Sequence, residues 1–467
     1  MTAGGQGARG QEAREIARAS RAALAGWVMF DWAAQPFFSL IQSFGYAPYV
    51  VRALVRDPVA GQAYWGYATA GAAVLIALLS PVIGAAVDRG GRHKRWILLA
   101  GAVYVPACAL LWLAEPGARS AVPLALGLFC LAAVAIEIAG VVNNAMLPEL
   151  VAPSHVGRLS GLGAASGNVG GVIAIMLALA FLLANPATGR TLLGSGPIFG
   201  LDGSRQEGAR LLGPFAALWF CVFILPLLLF TPDPKGSTGQ AMAALPAALK
   251  TLRTTLRALP REPDLVRFLI ANLIYTDGLV ALFAMGGIFA SGILGWSAVQ
   301  IGLFGIMVTV VGIAGAFGGG VLSDRIGAKS VVMLALGLLV AALCGLLNLG
   351  PAHIGPWVVE APHPNRALFS SAAEQAYLTI GALIGLSAGA LLATTRLVLV
   401  ALAPPERLAQ LFGLFALSGR ITAFLGPLCV ALATQLLASQ RAGIGVLLLF
   451  FLAGMAVLAT VRTSRTP

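Results

Sequence analysis

The chain has 467 residues, of which 58% are hydrophobic and only 10% charged, and its mean hydropathy is +0.88. A soluble domain carries about 25% charged residues, so most of this surface cannot face water, and the class that remains is a polytopic helical membrane protein. A net charge of +12 would suggest nucleic acid in a soluble chain; here the basic residues fall in short loops between apolar runs, where they orient spans, and no zinc-finger pattern or aromatic-interleaved basic face accompanies them.

Residues 1–24 carry Glu and Arg with no short apolar core and cleavage site, which predicts a cytoplasmic N-terminal segment without a removable leader. A span needs about 20 mainly apolar residues. Such runs predict twelve spans, at 25–50, 63–87, 95–114, 121–147, 158–184 and 211–231, and then at 266–293, 298–322, 329–350, 376–402, 408–436 and 442–462. The first holds GWVMFDWAAQPFF (Gly26–Phe38), in which Asp31 stands alone among apolar and aromatic residues. Between spans six and seven, 232–265 is a polar segment in which Lys250, Arg253 and Arg257 alternate with Leu252, Leu256 and Leu259. That spacing predicts a basic amphipathic helix on the anionic inner leaflet. The five cysteines lie singly in apolar runs and read as small core residues.

With the amino terminus inside, about 20 of the 30 Lys and Arg fall on the cytoplasmic side and about 8 outside, while Arg396 and Arg420 lie within spans. Both termini are therefore expected in the cytoplasm. The halves repeat each other. GAAVDR (Gly84–Arg89) after span two matches GVLSDR (Gly320–Arg325) after span eight, and LSGLGAASG (Leu159–Gly167) in span five matches LFGLFALSG (Leu411–Gly419) in span eleven. Asp31 in span one pairs with Asp277 in span seven. Three such matches in one order at nearly constant offset predict duplication, with parallel repeats about an axis along the membrane normal. The expected fold is all-α integral membrane: twelve transmembrane helices as two pseudo-symmetric six-helix bundles, 25–231 and 266–467 with a short cytoplasmic tail, joined by the 232–265 linker.

The stretch GAAVDRGGRHKR (Gly84–Arg95), with its degenerate copy at Gly320–Lys329, resembles the signature loop of the major facilitator superfamily. Four further elements resemble the branch of vacuolar effluxers named for fungal autophagy-related amino-acid exporters: FDWA (Phe30–Ala33), NAMLPEL (Asn144–Leu150), YTDGL (Tyr275–Leu279), and ALSGR with FLGP (Ala416–Arg420, Phe424–Pro427). This resemblance implies a solute site between the halves, lined by spans one, four, seven and ten. It also implies a gating latch formed by Gly84, Asp88, Arg89 and Arg92 with Asp324 and Arg325. Positive-loop anchoring is the plainer reading of the same loop. Ala34, Gln35, Thr276 and Arg420 depart from the branch pattern, so the fungal substrate does not carry over with it.

A mid-span charge costs about 2.5–3.5 kcal/mol on insertion scales, so such residues face a cavity or a partner. The candidates for a solute and proton pathway are Asp31, Trp32, Gln35, Glu137, Asn143, Asn144, Asn168, Asn272, Tyr275, Asp277 and Arg420. For Asp277 and Glu137 the alternatives are a titratable or amine-binding site and a structural ion pair with Arg420. Asp31 is read as a helix-end, gate or solute residue, and Trp32 as packing or cavity lining. His353, Glu360 and His363 share an outer loop, where isolated histidines are a plainer reading than a metal site. No Walker motif, nucleophile elbow or HExxH occurs. No enzyme activity, cofactor or metal is expected. The expected partners are a small-molecule solute, protons and membrane lipids around a monomer in a bacterial inner membrane. The function expected is secondary transport of a small polar or zwitterionic solute, amino acids included; the alternatives are a polyspecific drug or metabolite exporter and a transport-dead scaffold or sensor.

Overall fold

In lipid no hydrophobic force draws apolar helices together, so they associate through close packing and interhelical hydrogen bonds. The computed structural model describes residues 20–90, 92–151, 153–185, 188–233, 262–361, 368–402, 415 and 422–462. The amphipathic linker helix expected around Lys250 and the C-terminal tail beyond Arg462 lie outside them.

Among the described residues, ten helices are long and apolar enough to cross a membrane. They are α2 (Pro58–Gly90), α3 (His93–Leu110), α4 (Ala121–Leu150), α5 (Pro153–Leu177), α6 (Glu207–Phe230), α7 (Pro263–Leu294), α8 (Ala298–Ile326), α9 (Ala328–Leu347), α10 (Ala372–Leu402) and α12 (Gln440–Ala459). The first expected span, α1, is helical over 21–55 but in pieces, and the eleventh, α11, is described over Leu425–Leu436. Each of the twelve expected spans thus contains helix among the described residues, the eleventh only over Leu425–Leu436 at its end. Several begin earlier than hydropathy places them, because their first turns are polar and capped. Ser20 Oγ accepts the Ala23 amide at 3.2 Å and starts α1 at Arg21. Ser371 and Glu374 exchange backbone and side-chain bonds of 3.1 and 3.2 Å as a capping box for α10.

The pieces of α1 have a local cause. Pro36 has no amide hydrogen, so it cannot donate to the carbonyl of Trp32, four residues back. The Trp219 indole of α6 supplies that bond at 3.0 Å. From Phe37 to Phe44 the helix widens into a π segment, and at Gly45 it breaks before the short turns Tyr46–Tyr49 and Val50–Val55. There the Tyr46 hydroxyl donates to Leu111 O at 3.0 Å, and Tyr49 donates to Ala114 O, so both cap the C-terminal end of α3. Nearby, Arg205 binds Glu115 at 2.5 Å, and this contact holds the exposed carboxyl below its usual range.

Most packing of α1–α6 and of α7–α12 is within each set, while α11 also lies along α2 of the first half. The tightest seam joins α8 to α10, where glycines from both helices bring the backbones together. A Cβ on Gly385 would fall 2.5 Å from Val308 O, one on Gly319 would lie 2.8 Å from Ala390, and one on Gly389 would strike Gly312 O. The loop after α9 carries a small antiparallel meander, β1 (Leu349–Gly350), β2 (His353–Ile354) and β3 (Trp357–Val358), where the sequence predicted plain loop. His353 lies in β2, His363 lies outside the described residues, and no cluster suited to a metal occurs among the described ones. All five cysteines are free.

Because backbone rather than a flexible side chain opposes a Cβ at Gly389, Gly389→Leu is expected to cost more than the roughly 1–3 kcal/mol typical of overpacked cores. The check is the detergent melting temperature and monodispersity; a variant as stable as the parent would refute the glycine seam.

Candidate functional site

Both repeat-related acids sit on the first helix of their half and face the fifth. On α5, Gly163, Gly167, Gly170 and Gly171 form a groove into which α1 settles. A Cβ on Gly163 would fall 2.5 Å from Asp31 Oδ2, and one on Gly171 would lie 2.8 Å from the Gln35 side chain. Asp31 and Gln35 stay half-buried, so the groove admits solvent to a carboxylate and an amide about one turn apart. Asn168 follows Gly167 on the same helix and is also half-buried. Since α1 starts at Arg21, Asp31 lies ten residues in, about 15 Å along the axis. That is deeper than the one and a half turns the hydropathy boundary implied, and it weakens the helix-end reading.

In the second half Asp277 is buried against α11, where Gly426 meets the Asp277 backbone carbonyl. The Thr422 hydroxyl and Cys429 thiol of that segment are within electrostatic reach. No hydrogen bond of ordinary geometry reaches either carboxylate oxygen from the described residues. Arg420, its expected partner, lies outside those residues. The two acids are equivalent in position and unlike in surroundings: one is wetted, the other enclosed.

The remaining candidates divide. Asn143 is buried on α4, its backbone oxygen accepting the Trp27 indole at 2.8 Å while its own Oδ1 has no partner among the described residues. Glu137 is half-buried and Asn144 exposed, two turns apart on one face of α4. Asn272 is buried and accepts Thr276 Oγ1 at 3.3 Å. Two candidates are placed in helix packing. Trp32 stacks on Trp219 with ring centroids 6.0 Å apart, and Tyr275 lies between α10 and α12, sharing a 3.1 Å bond with Thr395.

The side chains of Gly84, Asp88 and Arg89 lie outside the described residues. Arg92, Asp324 and Arg325 are exposed, so no latch through them is formed among the described residues. The same loops do show a repeated contact absent from the sequence reading. Lys94 Nζ donates to Leu228 O at the end of α6, at 2.7 Å, and Lys329 Nζ donates to Ala459 O and Val461 O at the end of α12, at 3.1 and 2.5 Å. Each lysine places a positive charge on the carbonyl end of its half's last helix, where a cation is favoured.

What joins the halves is also new. Arg52 Nη1 donates to Gly295 O and Trp296 O beyond the end of α7, at 3.0 and 2.6 Å. The buried Gln62 of α2 donates to Thr434 Oγ1 at 2.8 Å and to Gln440 O at 3.1 Å, and Tyr67 donates to Gln435. Among the described residues every hydrogen bond between the halves lies at this one end, opposite the signature loops. Phe44 and Leu179 pack there against Gly305 and Gly302 of α8. A polar amide within an apolar run, at Gln62 and Gln440, is the sequence signal that would have pointed to this closure.

The class this defines is a helical membrane transporter with the major facilitator fold. A bacterial homologue of the human lysosomal transporter Spinster, solved inward-facing and occupied, aligns over 94% of this chain and 96% of its own, with TM-score 0.65 and 16% identity. The chain belongs to the vacuole effluxer Atg22-like family, which matches residues 49–466. It is 22% identical to the MFS-type transporter YxiO of Bacillus subtilis over 93% of this chain and 94% of that one. It is 24% identical to autophagy-related protein 22-2 of Aspergillus clavatus over 60% of this chain, a match that spans 43% of the fungal one.

Removing the Gln62 amide strands buried polar partners, a loss of about 1–3 kcal/mol. Gln62→Ala is therefore expected to lower the melting temperature in detergent and to speed modification of a cysteine placed at Tyr67. If neither changes, Gln62 takes no part in closure.

Proposed function

We propose that the protein is a secondary transporter that moves a small polar or zwitterionic solute by alternating access, coupled to protons. The observation that carries this reading is Asp277: a buried carboxylate without an ordinary hydrogen bond, facing α11 in the half-repeat position of the wetted Asp31. A carboxylate in such a place is expensive and is retained where it binds a proton or a cation. The cytoplasmic placement of both termini follows from the Lys and Arg distribution. On that orientation, the hydrogen-bonded closure lies at the outer end and the exposed signature-loop charges lie inside, which makes this an inward-facing arrangement.

In the cycle this implies, solute enters the open side and its amine meets Asp31 and Gln35 in the α5 groove. Asp277 exchanges a proton as its surroundings change between the two arrangements, and Arg420 balances its charge. The halves then rock about the midplane, separating Gln62 from Thr434 and Arg52 from α7. Membrane insertion of both bundles and the division at the 232–265 linker belong to the same reading. An amino acid fits the paired acid and basic groups better than a greasy drug does.

The test is uptake into liposomes with an imposed pH gradient and a panel of amino acids. Asp277→Asn is expected to uncouple uptake from the gradient. Asp31→Asn is expected to weaken solute binding about ten- to a hundredfold, the worth of one charge-assisted contact. Arg420→Ala is expected to abolish binding while the protein stays monodisperse on size exclusion. Should Arg420→Ala unfold the protein and Arg420→Ala/Asp277→Ala restore it, the pair is structural. Wild-type behaviour of Asp31→Asn, Glu137→Gln and Asp277→Asn together would favour a scaffold.

A further inference from the structure

The outer closure borders an open cavity of about 720 Å³ between the end of α1, described residues of the 182–209 connection and the start of α8. Such a volume suits a small organic ligand. Its wall includes Tyr49, Arg52, Asn185, Gln206, Trp296 and Ser297, so both halves contribute. Arg52 is the one formally charged residue among those lining it. Its Nη1 holds the two carbonyls of Gly295 and Trp296, whereas Nε and Nη2 have no hydrogen-bond partner among the described residues, and the residue is exposed. A guanidinium has five donors in a planar fork that fits a carboxylate in bidentate fashion. One nitrogen thus latches the halves while the rest of the fork is left open to the cavity.

We propose that this outer cavity is a second solute site, that it takes the carboxylate of a small molecule on Arg52, and that this binding competes with the Gly295 and Trp296 carbonyls and so releases the outer latch. The carbonyls already gain from the guanidinium's charge, but only a carboxylate adds a counter-charge and a bidentate fit to the fork, so a carboxylate draws the fork away from the carbonyls. Helix α7, which ends at this latch, carries Asp277, so an arriving carboxylate acts on the helix that bears the buried acid. The inference rests on the transporter reading only for the solute's having a carboxylate; the cavity and the latch stand without it.

The experiment uses purified full-length protein in nanodiscs, with the five native cysteines changed to alanine and a single cysteine introduced by Ala298→Cys at the cavity wall. The rate of maleimide labelling is followed with acetate or glycine, with acetamide or methylammonium as carboxylate-free counterparts, and with inorganic phosphate, all at matched ionic strength. Acetate and glycine are expected to change the labelling rate, and acetamide and methylammonium to leave it unchanged. Arg52→Gln is expected to label about tenfold faster than the parent without any additive, the worth of one charge-assisted bond, and to ignore acetate. Arg52→Lys, which keeps the charge without the fork, should label at an intermediate rate; size exclusion confirms that both variants are folded. Equal effects of acetate and acetamide, or an undiminished acetate response in Arg52→Gln, would overturn the proposal, as would a response to phosphate alone. Asp277→Asn separates the two readings: it is expected to lose gradient-driven uptake and to keep the acetate response.

Discussion

Glycine-mediated contact between helix backbones is the constraint from which the rest of this structure follows. Apolar helices in lipid gain little from burying one another, so the seams must come from close approach and polar bonds. The α8–α10 seam is the plain structural case. The α1–α5 groove uses the same device differently, because the space that Gly163 and Gly167 leave open is occupied by Asp31. A larger residue at either position would expel the carboxylate, so the motif that packs the helices also houses the acid.

Two kinds of polar contact govern the ends of the molecule, and they differ in what their loss would do. The lysine caps on α6 and α12 lie within their own halves and stiffen each bundle as a unit. The bonds of Arg52, Gln62 and Tyr67 cross between halves and are the ones that the proposed rocking would break. Apart from Arg52 these crossing bonds are neutral, so each is worth about 1 kcal/mol net, small enough to be exchanged during a cycle. A closure made of several buried ion pairs would be harder to open, since a buried charge left without its partner is strongly destabilising.

Much of the architecture was legible in the sequence because span length is a direct physical imprint of a bilayer and an internal repeat preserves the order of helices. The boundaries were less so: Ser20, Ser371 and Glu374 extend helices by capping, which a hydropathy window scores against a span. At the site, the repeat correctly paired Asp31 with Asp277, since duplication preserves position. It gave no warning that one would be wetted and the other enclosed, because that depends on whether the facing helix offers glycine or Thr422. Trp32 and Tyr275 stand one and two residues from the acids, yet on a helix a single residue turns the side chain by about 100°, enough to move it from the groove into the bundle. Arg52 was legible only as a loop charge, since its acceptors are backbone carbonyls some 243 residues away.

The bond between Trp219 and the Trp32 carbonyl has a bearing on how the protein is made. The two residues are 187 apart in sequence, on the first and sixth helices. When the ribosome has delivered only the opening helix, the gap left by Pro36 has no donor, and hydrocarbon offers none. That helix must wait, held by the translocation machinery or by transient water, until its distant neighbour is synthesised. The order of insertion is thereby tied to the order of assembly, and the first bundle becomes complete only when its last member arrives.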